Sequence, residues 1–152
     1  MKALFGSIKI QADERGRIRI PSSFREYFGE DEQLYCTVVG GAKCLTIFGQ
    51  QVMDNLYAQM QGQSVIGESE NYCRFRDFMD SIRVINEDKQ KRFTITQDKD
   101  DVMFEVERDM VFVGMFNKLE LWRKSDYDEY KSTRKQTTGG VMTNAEGKAL
   151  TW

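Results

Sequence analysis

Alternation of apolar and polar residues predicts that much of this chain forms short strands. Residues 6–11 and 17–20 alternate in this way, with the period of two that is typical of a half-buried strand. Further strands are predicted at 34–39, 45–48, 81–86, 92–95, 101–106, 110–113 and 118–122. The first two of these form a hairpin through Gly40-Gly41-Ala42-Lys43. The strands are too short and too close in sequence for parallel crossover units, so the pattern favours small antiparallel sheets or barrels.

Apolar residues at helical spacing predict that four helices flank these strands. They are expected at Pro21–Phe28, Gln50–Met60, Tyr72–Met79 and Ser125–Lys131. Pro21 suits the first helical position, and Ser125 suits the N-cap of the last helix. Residues 61–70 are the only plausible linker, and the polar, glycine-containing residues from 132 onward predict a frayed tail.

A short motif occurs twice and indicates an internal duplication. Asp13 and Arg17 recur as Asp88 and Arg92 at an offset of 75, and a Val-Gly-x4-Leu-x-(Ile/Leu)-aromatic stretch beginning at Val39 recurs at an offset of 74. Two sequence features that recur at nearly the same offset predict two units of about 75 residues. Each unit is near the lower size limit for a self-sufficient core, so the units are expected to pack together or to oligomerise.

Composition excludes several classes of protein. The chain has 152 residues, no histidine and a formal net charge of −2. Without histidine, His-based catalysis and the common zinc sites are excluded, and glycine-rich nucleotide-binding motifs are absent. We therefore expect no enzyme activity, no catalytic residue, no metal and no cofactor. No apolar run approaches the roughly 20 residues that span a bilayer, and a signal peptide is not evident. Three cysteines without CxxC spacing fit a reduced, cytoplasmic protein.

The repeated turn is the strongest candidate for chemistry. A charge-assisted pair between Asp13 and Arg17 would fix the direction of the guanidinium group. Arg15, Arg17 and Arg19 lie at alternate positions, so a strand that continued into the turn would present all three on one face. Such a row matches a phosphate backbone or guanine edges in a major groove of double-stranded DNA.

The second copy is basic in a different pattern. It carries Lys89, Lys91 and Arg92, whereas Gln90 replaces the first of the three arginines. Two basic turns in one chain would read a duplex through its groove. The alternative is that each Asp–Arg pair is only a structural salt bridge that holds a hairpin.

The motif and its surroundings resemble the MraZ family. The resemblance rests on Asp13-x-x-Gly16-Arg17-x-x-Ile20-Pro21 with Phe24-Arg25, on Asp88-Lys89-Gln90-x-Arg92, and on the stretch from Val113 to Trp122. It implies an α+β fold of two tandem AbrB-like (SpoVT-AbrB) swapped-hairpin units, a pseudo-twofold small β-barrel with flanking helices. The units would span residues 5–63 and 81–131, with a helical connection at 64–80 and a polar tail at 132–152.

The resemblance also implies a function. Members of this family are bacterial repressors of the division and cell-wall gene cluster that bind promoter direct repeats and form homo-oligomeric rings. The implied location is the cytoplasm, in association with the nucleoid. The family's DNA-contacting turns correspond to residues 13–17 and 88–92 of this chain. The implied DNA-binding residues are Asp13, Arg15, Gly16, Arg17, Arg19, Asp88, Lys89, Lys91 and Arg92.

The second turn departs from the family pattern. Lys91 stands where the family has Gly, and Thr96 where it has Pro. A lysine at a position that needs positive φ is expected to change the shape or the strain of the turn. The departure also keeps open an alternative function, a non-catalytic oligomeric protein-interaction scaffold with the same fold.

Overall fold

The computed structural model describes residues 2–39, 41–60, 70–95, 103–134 and 142–150. In this part of the chain there are eight strands and four helices, and the predicted α+β class is confirmed. The elements are β1 (Ser7–Gln11), β2 (Ile18–Arg19), α1 (Ser22–Arg25), β3 (Leu34–Thr37), β4 (Cys44–Phe48), α2 (Gln50–Met60), α3 (Glu70–Ser81), β5 (Arg83–Ile85), β6 (Arg92–Phe93), β7 (Asp109–Met115), β8 (Lys118–Arg123) and α4 (Lys124–Arg134).

The strands form an open antiparallel sheet and a separate two-stranded ribbon. The sheet has six strands in the order β1-β7-β8-β4-β3-β5, and the ribbon pairs β2 with β6. The expected closed barrel is therefore wrong. Closure would require β1 and β5 to share hydrogen bonds, but they lie at opposite edges of the sheet, and the strands that follow them pair with each other instead.

The strand order is a palindrome when each strand is matched with its counterpart in the repeat. An offset of 74 or 75 relates β1 to β5, β2 to β6, β3 to β7 and β4 to β8, and it relates α2 to α4. Equivalent residues face each other at the centre, since Ile18 pairs with Phe93 and Thr46 with Glu120. Strand β1 pairs with β7, and β5 pairs with β3. The two halves are thus interleaved about a pseudo-twofold axis.

The main core draws on both halves of the chain. Its buried members include Ile18, Ile20, Phe24, Phe28, Leu34, Leu45, Ile47, Ile85, Phe93, Phe104, Met110, Phe112, Leu119 and Leu121. Each large apolar side chain buried in this way stabilises the fold by about 1.5–3 kcal/mol relative to an exposed one. A smaller cluster of Cys44, Val111 and Trp122 lies apart from this core and is covered by Tyr127 of α4.

Several local boundaries differ from the prediction. Helix α1 begins at Ser22, because Pro21 has an extended ψ of 140° and stands at the N-cap. Helix α4 begins at Lys124, because β8 runs directly into it, so Ser125 lies inside the first turn and is not the N-cap. Residues 103–106 form no strand, although Phe104 is buried. Residues 101–102 of that predicted strand, most of the predicted linker (61–69) and Thr96 lie outside the described residues.

The tail is more ordered than predicted at two places. Residues 132–134 complete α4, and residues 142–150 form a small hairpin in which Thr143 pairs with Ala149. Residues 135–141 of the tail lie outside the described part of the chain. Among the described residues, no helix combines the length and apolarity that crossing a membrane requires.

Replacing Gly114 by Ala tests the contact between β7 and the N-terminal segment. A Cβ atom at this position would overlap the backbone of Leu4 and Phe5, which cannot move aside as a flexible side chain can. We expect the free energy of unfolding to fall by about 1–3 kcal/mol, as for other overpacked sites. Chemical denaturation measures it.

Gly29→Ala is the matched control, since its new Cβ would meet only the Cβ of Glu32 at 3.6 Å. Equal stability of the two variants would contradict the predicted close approach at Gly114.

Candidate nucleic-acid interface

The first turn is held by one carboxylate. Oδ1 of Asp13 accepts hydrogen bonds from the backbone N–H groups of Arg15 and Arg17, both at 2.9 Å. Oδ2 accepts a third from Nε of Arg17 at 2.6 Å. The backbone N–H of Asp13 donates to the carbonyl of Arg17 at 3.1 Å and closes the turn. Asp13 therefore fixes both the backbone and the direction of the arginine side chain.

The second turn repeats this arrangement bond for bond. Oδ1 of Asp88 accepts the N–H groups of Gln90 and Arg92 at 2.8 and 2.9 Å, and Oδ2 accepts Nε of Arg92 at 3.0 Å. The N–H of Asp88 donates to the carbonyl of Arg92 at 2.8 Å. The duplication seen in the sequence thus extends to individual hydrogen bonds.

The fourth position of each turn has a left-handed backbone. Gly16 has φ +72° and Lys91 has φ +62°. The difference expected at Lys91 is therefore one of strain and not of shape. A residue with a Cβ atom adopts this conformation at a cost of roughly 1–2 kcal/mol.

Arg17 and Arg92 are oriented but remain available. Each side chain is 29% exposed. Because the carboxylate holds only Nε, the two Nη groups of each guanidinium can still form a fork with a phosphate or with the O6 and N7 atoms of guanine.

The ribbon separates apolar and basic faces. Ile18 and Phe93 are buried, while Arg19 lies directly opposite Arg92. Arg17 directly precedes β2, and the alternation of β2 continued by one residue places it on the same face as Arg19. Like charges directly opposite each other destabilise a sheet, and the described residues provide Arg19 with no ion-pair partner. Arg17, Arg19 and Arg92 thus bring three positive charges together at one face of the ribbon.

Comparisons with known proteins identify relatives of this chain. Residues 3–75 match the family model described as "MraZ protein", antitoxin-like. A protein named transcriptional regulator MraZ from Bacteroides thetaiotaomicron is 26% identical over 82% of this chain and 80% of its own length. Proteins of the same name from Thermoanaerobacter sp. and Acetivibrio thermocellus are 26% and 25% identical over 85% and 90% of this chain, and over 87% and 92% of their own lengths.

Together, the family-model match and these relatives support an MraZ family protein. In this chain the predicted site residues occupy the ribbon and the turns that lead into it. They are Asp13, Arg15, Gly16, Arg17, Arg19, Asp88, Lys89, Lys91 and Arg92. Arg15 lies at the tip of the turn, whereas Arg17 directly precedes β2, so the cations at the ribbon are Arg17, Arg19 and Arg92. The two turns contain an excess of cationic side chains although the whole chain is slightly acidic.

A third turn with the same backbone hydrogen bonds was not predicted. Oδ1 of Asn144 accepts the N–H groups of Glu146 and Lys148 at 3.0 and 2.9 Å, and its own N–H donates to the carbonyl of Lys148 at 2.8 Å. Gly147 has φ +81°. The spacing Asn-x-x-Gly-Lys is the sequence signal that could have identified this turn. Unlike the first two turns, the third has neither the carboxylate nor the arginine.

The cysteines lie away from this surface. Burial raises the pKa of the Cys36 thiol to about 11 and that of Cys44 to about 12. Both thiols are therefore protonated at neutral pH. No group of three or more potential metal ligands is found in the described part of the chain.

The two carboxylates that hold the turns predict a pH dependence. The backbone N–H groups of Arg17 and Arg92 are the main causes that hold the pKa values of Asp13 and Asp88 below the ordinary 3.8. Since the folded pKa is lowered, the stabilisation is present above 3.8 and is lost as the pH falls through the lower folded value. NMR titration of the carboxyl carbons and of the Arg17 and Arg92 amides measures both midpoints.

The third turn is the internal control for this titration. The amide of Lys148 is held by the side chain of Asn144, which does not ionise, so its hydrogen bond is expected to persist over the same pH range. Midpoints at or above 3.8 for Asp13 and Asp88 would contradict the assigned role of the carboxylates.

Proposed function

We propose that this protein is a transcriptional regulator that binds double-stranded DNA through the β2–β6 ribbon and its two turns. The observation that carries the proposal is the row of Arg17, Arg19 and Arg92 on the outer face of the ribbon. Two of these guanidinium groups are oriented by carboxylates. The names of the relatives, transcriptional regulators, support the same function.

Each site residue has a distinct role in this proposal. The Nη groups of Arg17 and Arg92 contact phosphates or guanine edges, and Arg19 adds a third cation directly opposite Arg92. Asp13 and Asp88 orient the arginines, and Gly16 and Lys91 provide the left-handed backbone that the turns need. Arg15 and Lys89, exposed at the turns, contribute charge toward the phosphates.

The finer features of the proposal follow the family resemblance. We propose that the protein is a repressor of the division and cell-wall gene cluster, that it reads promoter direct repeats, and that it acts in the cytoplasm at the nucleoid. We also propose two AbrB-like swapped-hairpin units at 5–63 and 81–131, joined by 64–80 and followed by a tail at 132–152. The exchange of β1 and β5 between the halves supports this division.

We propose in addition that several copies assemble into a homo-oligomeric ring. Helices α2 and α3 contain no buried residue, and Tyr57 of α2 is 69% exposed. Phe5 and Phe116 are 79% and 78% exposed. A second copy that covers these apolar groups would also bring more basic ribbons onto one DNA, which makes binding avid without any new contact.

The same exposed aromatic groups favour an alternative function, a non-catalytic oligomeric scaffold that binds other proteins. A gel-shift experiment with the DNA upstream of the protein's own gene separates the two functions. Binding at low salt supports the regulator, whereas its absence favours the scaffold.

Replacing both Arg15 and Arg17 by Ala is expected to abolish promoter binding and to leave the oligomeric mass unchanged. The double variant loses two cations at the first turn, and one of them is the guanidinium group of Arg17 that Asp13 orients. Fluorescence anisotropy with promoter DNA measures the affinity, and light scattering measures the mass. For the wild type, the logarithm of the affinity is expected to fall steeply with the logarithm of the salt concentration. The slope is about −0.9 for each phosphate contacted.

The double variant Arg74→Ala/Lys148→Ala is the charge-matched control, since it also removes two cations. Arg74 on α3 is 74% exposed and pairs with Glu70, and Lys148 is 79% exposed and pairs with Glu146, so neither belongs to the two Asp–Arg turns. Full affinity of the Arg15→Ala/Arg17→Ala variant, or an equal loss in the control, would exclude the first turn as the DNA contact.

A further inference from the structure

A largely buried ion pair attaches the entrance of the second turn to the last residue of α1. Arg25 and Glu87 are each 12% exposed, and Nη2 and Nε of the arginine donate to the two carboxylate oxygens at 2.9 and 3.3 Å. The same guanidinium donates to the carbonyls of Gly29 and Glu30 at 3.0 and 3.3 Å. Since Glu87 immediately precedes Asp88, this pair fixes the entrance of the second turn.

Lys91 forms a second attachment, to the loop after α1. Its Nζ donates to the carbonyl oxygen of Glu30 at 3.0 Å, an oxygen that Arg25 also approaches. The lysine thus turns back toward the protein, beside the acidic residues that follow α1. A side chain in this position is not extended toward a phosphate.

The first turn is attached in a different way. The positions equivalent to Glu87 and Lys91 are Ala12 and Gly16, neither of which can form these bonds. There the backbone N–H of Ala12 donates to the carbonyl of Arg108 at 2.8 Å. Of the two turns, only the second therefore has this side-chain attachment.

The strained backbone of Lys91 fits this arrangement. Glycine would adopt φ +62° without a steric cost, whereas lysine, which has a Cβ atom, adopts it only at a cost. A residue held in a sparsely populated conformation persists when its surroundings determine it. The hydrogen bond to Glu30 is the contact that a glycine could not provide.

We propose that Lys91, Glu87 and Arg25 form a clamp that positions the second turn, and that Lys91 is a positioning residue and not a phosphate ligand. The clamp rests on the proposed function, because it holds Arg92 in a fixed place on the DNA-binding ribbon. It makes the two turns inequivalent, with the second fixed by side chains to the loop after α1.

The test compares Lys91→Met, which keeps the aliphatic stem but removes the donor, with Lys91→Arg, which keeps a cationic donor. Amide hydrogen exchange of Gln90 and Arg92 is measured without DNA, and Arg15 and Arg17 serve as internal controls. We expect exchange to accelerate several-fold at the second turn of Lys91→Met only, with unchanged rates at the first turn. Lys91→Arg is expected to restore slow exchange.

DNA binding provides the second readout. For Lys91→Met, loss of a charge-assisted hydrogen bond is expected to weaken promoter affinity by about tenfold, while the slope of log affinity against log salt stays at the wild-type value. A phosphate ligand would instead lower that slope by about 0.9. Unchanged exchange at the second turn, or a lowered slope, would overturn the clamp.

Glu87→Gln separates the clamp from a simple effect of net charge, because the two predict opposite changes in DNA affinity. It removes a negative charge near the DNA surface, which would tighten binding if only net charge mattered. The clamp predicts faster exchange at Arg92 and weaker binding, so tighter binding would contradict it. If the wild-type protein fails to bind DNA, the proposed function fails, yet the exchange rates still decide whether the clamp exists.

Discussion

The exchange of edge strands between the two halves is the constraint on which the rest of this structure depends. Strand β1 completes the half that contains β7, and β5 completes the half that contains β3. A unit of about 75 residues buries too little apolar surface to be secure alone, and here neither half has its edge strand without the other. The pairing of Ile18 with Phe93 at the pseudo-twofold axis is a consequence. The ribbon that presents the arginines exists because the halves are interleaved.

The turns show that backbone shape and chemical function are separable. Three turns in the described chain share a side-chain oxygen that accepts two backbone N–H groups and a left-handed fourth residue. At Asn144 this arrangement closes the hairpin in which Thr143 pairs with Ala149. At Asp13 and Asp88 the second carboxylate oxygen also holds an arginine. An aspartate in place of the asparagine, together with an arginine in place of the lysine, therefore lets the same hairpin turn orient a guanidinium group.

Local patterns were enough to predict most elements and the turns, whereas pairings distant in sequence were not predictable. The period of two located β1, short apolar runs located β3, β4 and β8, and the Asp-to-Arg spacing located both ion pairs, because each depends on neighbouring residues. The barrel was wrong because closure depends on whether β1 meets β5. Ser125 was misassigned because β8 leads straight into α4. Contacts of Lys91 with Glu30, 61 residues apart, leave no periodic signal in the sequence.

The pseudo-twofold symmetry is broken where the turns join the protein. Equivalent positions carry Ala12 and Glu87, and Gly16 and Lys91. The first turn relies on a backbone hydrogen bond to Arg108, and its glycine needs no compensation for positive φ. The second combines a strained lysine with an ion pair to α1. Since the hydrogen bonds within both turns are the same, the differences do not serve the turn itself. Under the proposed function they set how firmly each arginine is held relative to the core, and a pseudo-symmetric scaffold then presents two unequal contacts to DNA.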